Sequence, residues 1–279
     1  MQKTWKNYDY EKAFNDLLKD GEGIFEYRSR VAYVTRTYKA GSMIEAEIFP
    51  AFLDRKDFSR AKRIFASTDK QKKLNEKRAV KKLIRKINAN FSKNDLWITL
   101  GYDNDHLPET LEQAKRDLKN YIRRVKELRK KLGIKEPLRY IYVTEFGEGR
   151  VHHHILISGD MDRDTLENMW TLCERKNSRR LKPDDFGLTG LAVYLSKDPQ
   201  GKKRWGCSKG LKEPKVTDSF QRFTKKKVQK LVENQNLIEE EFKKQYPGYQ
   251  YDPEYPCEIY YNEVIGLFYL HCRMYRRAS

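Results

Sequence analysis

Residues 138–158 contain the pattern that most restricts the fold of this chain. Two apolar, β-branched runs, LRYIYVTEF (138–146) and RVHHHILIS (150–158), flank a turn-forming Gly-Glu-Gly sequence. Runs of this kind around a glycine-rich turn predict an antiparallel β-hairpin. Three of the chain's 5 histidines stand consecutively in the second run. Because apolar residues flank them, they are expected to belong to a folded strand and not to a vector-derived tag.

Strand geometry separates the three histidines. Alternate residues of a strand share a face, so His152 and His154 point one way and His153 points the other. The hairpin turn decides what lies opposite them. A turn of two or four residues places Glu145 opposite His152 on the same face, whereas a turn of three places it on the other. We favour the even turn, because a carboxylate in an apolar strand would otherwise lack its best partner.

A carboxylate and two imidazoles on one face are suitable ligands for a divalent cation. Glu145, His152 and His154 are therefore predicted to bind one metal ion, with open positions for water and phosphate. These residue types are compatible with Mn²⁺, Mg²⁺ or Zn²⁺ and do not choose among them.

The segment LAVYLSKD, further along the chain, contains a nucleophile that such a metal ion would assist. It is predicted to be a short helix, which places Tyr194 and Lys197 three residues apart on one face. A tyrosine hydroxyl is a poor nucleophile at neutral pH unless its phenolate is stabilised. A lysine one turn away helps to stabilise it, and a metal ion polarises the phosphate under attack.

The composition favours a polyanionic partner. Lys and Arg number 58 against 40 Asp and Glu, a net charge of +18, which indicates a nucleic acid before an anionic membrane surface. The sequence contains no apolar run of transmembrane length, no signal-peptide pattern and no lipidation motif, so we expect a cytoplasmic protein with no membrane partner. Arg150, Lys209 and Lys212 are candidate phosphate contacts. The cysteines form no Cys-x-x-Cys pair and are expected to be reduced thiols.

Hydrophobic periodicity predicts an α+β fold, with a mostly antiparallel sheet and helices packed on it. The N-terminal runs RVAYVTRTYKAG and SMIEAEIFPAF predict a second hairpin, and the Lys- and Arg-rich helix after it is expected to contact phosphates. Further strands are predicted at 96–102 and near 205–211. Helices are predicted from Pro108 to Leu132, after a cap at Asp162 or Asp164, and at 191–198. Near the C terminus, one basic helical stretch precedes EIYYNEVIGLFYLHCRMY, which is strand-like.

These ordered motifs resemble the HUH endonucleases, specifically the single-tyrosine rolling-circle replication initiators of bacterial plasmids and phages. LWITLGYD is similar to the family's first motif strand, GRVHHHILIS to its histidine motif, and VYLSKD to the motif with the nucleophilic tyrosine. RWGCSKGLKEP is similar to the segment that follows in phage-type members. The resemblance covers residues 95–212. His153 departs from the pattern, because it occupies a slot that is usually hydrophobic.

The resemblance implies a domain organisation and a reaction. Residues 95–216 would form the HUH nuclease core, with an RRM-like palm, between a basic accessory region (1–94) and a C-terminal helix-and-strand extension (217–279). Tyr194 would attack single-stranded DNA at a replication origin, forming a 5′-phosphotyrosine link and freeing a 3′-OH. Rejoining would need no ATP, because the bond energy is conserved. A host helicase and polymerase are implied partners, and with one tyrosine, circle closure would need another nucleophile or subunit.

Two alternatives stay open at this point. An HUH transposase would use the same chemistry, although the long flanking regions fit an initiator better. A non-catalytic DNA- or RNA-binding protein would have the same charge and purely structural histidines. Covalent capture of DNA by Tyr194 separates the last alternative from the first two.

Overall fold

The computed structural model describes residues 31–52, 69–146, 151–196, 205–251, 255–262 and 266–276. These residues form an α+β fold of two antiparallel sheets with six helices packed on them, which confirms the predicted class. The strands are β1 (Val31–Ala40), β2 (Met43–Phe52), β3 (Leu96–Leu100), β4 (Tyr140–Glu145), β5 (His152–Ile157), β6 (Asn177–Arg180), β7 (Gly206–Cys207), β8 (Lys215–Ser219), β9 (Gln250–Tyr251), β10 (Glu258–Asn262) and β11 (Leu267–Tyr275). The helices are α1 (Asp69–Asn90), α2 (Leu111–Lys131), α3 (Arg163–Asn168), α4 (Thr189–Tyr194), α5 (Lys225–Glu233) and α6 (Ile238–Gln245).

The first sheet has the strand order β6-β3-β5-β4-β7, so the histidine strand β5 lies at its centre. β4 and β5 form the predicted antiparallel hairpin, with Glu145 paired to His152 and Val143 paired to His154. Residues paired across antiparallel strands point to the same face. The even parity of the turn is therefore confirmed, although residues 147–150 themselves lie outside the described ranges.

Helix α2 covers one face of this sheet. It begins after Thr110, whose side chain accepts a hydrogen bond from the Gln113 backbone N–H and so satisfies one of the helix's free donors. Its apolar positions at spacings of three and four pack with the sheet into one buried core. The prediction of this helix is confirmed except at Leu132, which follows the last turn and is 59% exposed.

The second sheet has the order β10-β11-β2-β1-β8, with β9 paired to β11, so it combines strands from both ends of the described chain. The N-terminal hairpin of β1 and β2 is confirmed. Reading 258–275 as one strand-like stretch was wrong, because the chain reverses near Gly266 (φ 59°) to pair β10 with β11. The basic stretch after residue 219 is likewise two helices, α5 and α6, separated by a 3₁₀ turn at Gln235–Leu237.

Helix α1 lies between the two sheets. Its apolar side, with Leu83, Ile84 and Ile87, is buried against the first sheet and α4. On its other side Arg85 pairs with Glu45 and, at 2.8 Å, with Glu47 of the second sheet. Arg85 therefore neutralises internal carboxylates, whereas the sequence had indicated a phosphate-contacting surface for this helix.

Two further sequence expectations concern the chain as a whole. All four cysteines are free thiols, as predicted. None of the helices in the described ranges combines the length and the apolar character needed to cross a membrane.

Candidate active site

Glu145, His152 and His154 form one cluster on the first sheet. The Nε2 atom of His152 lies 3.1 Å from Glu145 Oε2, and the Nε2 atom of His154 lies 3.4 Å from Glu145 Oε1. The two imidazoles meet edge to face, with centroids 4.8 Å apart. One potential ligand atom from each residue lies within 4.8 Å of the others, so the cluster can hold a metal ion.

His154 has the features of a metal ligand. Its Nε2 atom is buried without a hydrogen bond, because the 3.4 Å approach of Glu145 lacks hydrogen-bond geometry. Its Nδ1 atom lies 3.2 Å from Thr99 Oγ1, which accepts a hydrogen bond from the Trp97 indole. When Nδ1–H donates to Thr99, the lone pair of Nε2 faces the cluster. Burial, and then the charges of His152 and Arg179, lower the pKa of His154 to about 4, so the metal-binding neutral form prevails.

A second group of potential ligands, Glu45, Glu47 and His271, does not fit a metal ion. Glu45 and Glu47 are already paired with Arg85, and His271 lies between Glu45 and Glu258. The cations of the protein occupy the place that a metal ion would take. His271, which the sequence marked as incidental, is thus a buried structural residue of the second sheet.

Tyr194 is brought to the same face as the cluster. It is the last residue of α4 and is 46% exposed. Its ring centroid lies 5.7 Å from that of His154 and 5.6 Å from that of Trp97. The predicted nucleophile and the predicted metal ligands therefore meet around His154 and Trp97.

The start of α4 is held by both halves of the fold. The Asn88 side chain of α1 accepts a hydrogen bond from Leu188 N at 3.0 Å, and Thr189 Oγ1 lies 2.9 Å from the Tyr275 hydroxyl of β11. Gly187 has φ 65°, and a Cβ atom there would lie 2.5 Å from Asn88 Oδ1. Elements outside the first sheet therefore position the helix that carries Tyr194.

His153 is separate from this site, as strand parity predicted. It is fully buried on the α2 side of the sheet. Its Nε2 lies 2.9 Å from the Tyr102 hydroxyl and its Nδ1 lies 2.9 Å from Thr144 Oγ1. Burial, followed by the charges of His152 and His154, lowers its pKa to about 3, so it is a neutral core residue.

Arg179 is a neighbour of the site that the sequence did not reveal. It lies on β6 beside β3, is exposed, and places its guanidinium 4.8 Å from the centroid of the Trp97 ring. Trp97 in turn contacts both His154 and Tyr194. The residues NSRR of β6 show no apolar alternation, so no sequence signal indicated a strand there.

The other predicted residues lie apart from the cluster or outside the described ranges. Lys209 follows Ser208, whose backbone N–H donates to Tyr140 O, at the end of β4 opposite to Glu145. The backbone of Lys212 is bonded to the Asn90 side chain at the end of α1. Both lysine side chains are exposed. Arg150 and Lys197 fall in segments that the structure does not describe, so all four roles stay predictions.

The segment with this geometry has a counterpart among known families. Residues 95–199 match the family model of the replication-associated proteins of the ORF2 and phage gene-2-protein type. The matched segment runs from the start of β3 past α4 and contains Glu145, His152, His154 and Tyr194. The resemblance to phage-type rolling-circle replication proteins is thereby confirmed for this segment. No curated protein and no solved structure gives a significant match to the chain.

Proposed function

We propose that this protein starts rolling-circle replication by nicking single-stranded DNA at an origin and later rejoins the strands. The observation that carries the proposal is the contact between Tyr194 and His154, beside Glu145 and His152, within the segment matched by the replication-associated family. An exposed tyrosine beside a cluster of metal ligands suits attack on a phosphodiester.

In the proposed reaction, the Tyr194 hydroxyl oxygen bonds to phosphorus and loses its proton to solvent. The bond from phosphorus to the 3′ oxygen breaks, and that oxygen takes up a proton. The products are a 5′-phosphotyrosine and a free 3′-OH for a host polymerase, and a 3′-OH that attacks the phosphotyrosine reverses the step without ATP. A divalent cation, Mn²⁺ or Mg²⁺ with Zn²⁺ also compatible, would polarise the scissile phosphate when bound by Glu145, His152 and His154.

Basic side chains are assigned to the phosphates. Lys197 would stabilise the phenolate of Tyr194, and Arg179 would bind the scissile phosphate, because its guanidinium is exposed beside Trp97. Arg150, Lys209 and Lys212 would contact phosphates further along the DNA. A host helicase would supply the single-stranded template, and termination would use another nucleophile or another subunit.

Covalent capture tests the function. The protein is incubated with Mn²⁺ and single-stranded oligonucleotides that tile its own genetic element, and a denaturation-resistant adduct is expected on gels. Tyr194→Phe should abolish the adduct, whereas Tyr261→Phe, which removes an exposed hydroxyl on the second sheet, should retain it. An adduct that persists in Tyr194→Phe would refute the assigned nucleophile. Failure of the wild-type protein to form any adduct would favour the non-catalytic nucleic-acid-binding alternative.

A further inference from the structure

A cavity of about 300 Å³ lies between α2 and the β4–β7 edge of the first sheet. Basic side chains of α2 and two tyrosines of β4 line it: Lys119, Arg123, Lys126, Tyr140 and Tyr142. Its volume is at the lower end of the range for small-molecule sites, about 300–1,000 Å³. A ligand of one ring system with its phosphate fits a space of this size.

This cavity faces away from the candidate active site. Tyr142 adjoins Val143, which pairs with His154, so the Tyr142 side chain points to the opposite face of the sheet. Three residues separate Tyr142 from Glu145, which corresponds to about 10 Å along the strand. The cavity is therefore near the cluster but belongs to a separate surface.

The charges lining the cavity lack sufficient counterions. Lys119, Arg123 and Lys126 recur at helical spacings of four and three, so they share one face of α2. Within the described ranges, Arg123 has an ion pair, with Glu127 at 3.6 Å, and neither lysine has one. Like charges at these spacings repel each other and destabilise a helix. A bound anion would remove this repulsion.

The tyrosines provide an aromatic wall. The rings of Tyr140 and Tyr142 are nearly parallel, with an interplanar angle of 23° and centroids 6.3 Å apart. Gly206 on the edge strand allows this arrangement, because a Cβ atom there would lie 2.3 Å from the Tyr142 ring. Lys126 places its ammonium 5.7 Å from the centre of the Tyr140 ring. Aromatic faces with adjacent cations are suited to a base and its phosphate.

We propose that this cavity binds one nucleotide unit of single-stranded DNA, with the base against the tyrosines and the adjoining phosphates on the α2 cations. This second DNA site goes beyond the proposed nicking reaction, which uses the opposite face. The net charge of +18 and the family match over residues 95–199 favour a DNA strand over a free nucleotide as the source of the ligand. The site would hold a strand within reach of the nicking face.

The aromatic part of the site is tested by binding of fluorescein-labelled dT12 to the full chain, measured by fluorescence anisotropy. The double variant Tyr140→Leu/Tyr142→Leu keeps apolar volume but loses the stacking faces, and its affinity should fall by about tenfold or more. Tyr140→Phe/Tyr142→Phe keeps the faces and should bind within about twofold of wild type. Equal affinity in the Leu and Phe variants would overturn the proposal.

The basic part is tested by the salt dependence of the same binding. Lys119→Gln/Lys126→Gln should weaken binding and reduce the slope of log K against log salt by about 1.4, which corresponds to two phosphate contacts. The matched control is Lys226→Gln/Lys230→Gln, which removes two exposed charges from α5. Equal slopes for the two variants would refute a localised site.

Two further arms identify the ligand and separate this inference from the nicking proposal. Calorimetric titration with dTMP should show no micromolar binding; micromolar binding that the Leu variant loses, with dT12 binding unchanged, would reassign the cavity to free nucleotides. The anisotropy measurements are repeated in Tyr194→Phe, which cannot form the proposed adduct. Loss of dT12 affinity in the Leu variant on that background would support the cavity whatever the outcome of covalent capture.

Discussion

Replacement of neighbouring histidines should separate stability from nicking. His153 is fully buried with both ring nitrogens near hydroxyl partners, whereas His152 is 29% exposed and faces Glu145. We therefore expect His153→Leu to destabilise the protein but to retain nicking. His152→Ala should do the reverse, because it removes a proposed metal ligand from a partly exposed position.

The structure gives the size of the expected difference. In His153→Leu the Tyr102 hydroxyl keeps Asp117 as an acceptor at 3.4 Å, but Thr144 loses its imidazole partner. A buried polar group left without a partner costs about 1–3 kcal/mol, and the lost hydrogen bonds add about 1 kcal/mol. At about 2–4 °C per kcal/mol, the melting temperature should fall by roughly 5–12 °C. His152→Ala should change it by no more than about 2 °C.

Calorimetry and covalent capture together provide the assay. Melting temperatures are measured for both variants, and adduct formation is then assayed well below the lower of them. His153→Gln, which keeps a donor and an acceptor, should recover part of the lost stability and serves as the matched control. If folded His153→Leu forms no adduct, or if His152→Ala loses as much stability as His153→Leu, the separation of the histidines by strand parity is wrong.

Three further changes test the surroundings of the site. Arg179→Gln should slow adduct formation by about tenfold or more in time courses, because a charge-assisted contact to the phosphate is worth about 1.5–3 kcal/mol; an unchanged rate would make this arginine a bystander. Thr99→Val should weaken Mn²⁺ binding by roughly 10- to 100-fold in calorimetric titrations, because it removes the partner that orients the His154 imidazole. Although burial raises the pKa of Glu45, the hydrogen bond with His271 and the charge of Arg85 hold that pKa below its ordinary 4.5. The stabilisation by Glu45 is then present above about pH 4.5 and is lost as the pH falls further, so urea unfolding of Glu45→Gln should depend less on pH below 5 than that of wild type.

Local rules account for the parts of the site that were predictable. The alternation of faces along β5 and the need of Glu145 for a partner were enough to place this carboxylate opposite His152, as the register has it. The same alternation assigned His153 to the other face, where it is buried. Apolar spacing predicted α2 for a similar reason, since side chains three and four apart cover one face of a helix.

Non-local pairing accounts for the parts that were not predictable. Arg179 reaches the site because β6 pairs with β3, and nothing in NSRR indicates this partner. The second sheet joins β1 and β2 to β11, from the other end of the described chain, and pairings at such separations leave no periodic signal in a single sequence. The basic pattern of α1 was misleading, because Arg85 is paired with carboxylates of that sheet.

By itself the sequence determined which side chains could perform chemistry and how neighbours on one strand divide between its faces, because strand and helix periods are set by the local backbone. The tertiary structure alone decided that Tyr194 meets His154, that Asn88 and Tyr275 hold the start of its helix, and that a basic, tyrosine-lined cavity lies on the reverse face. These contacts join residues far apart in the chain. Their free energy comes from burial and pairing between elements, which one sequence does not specify locally.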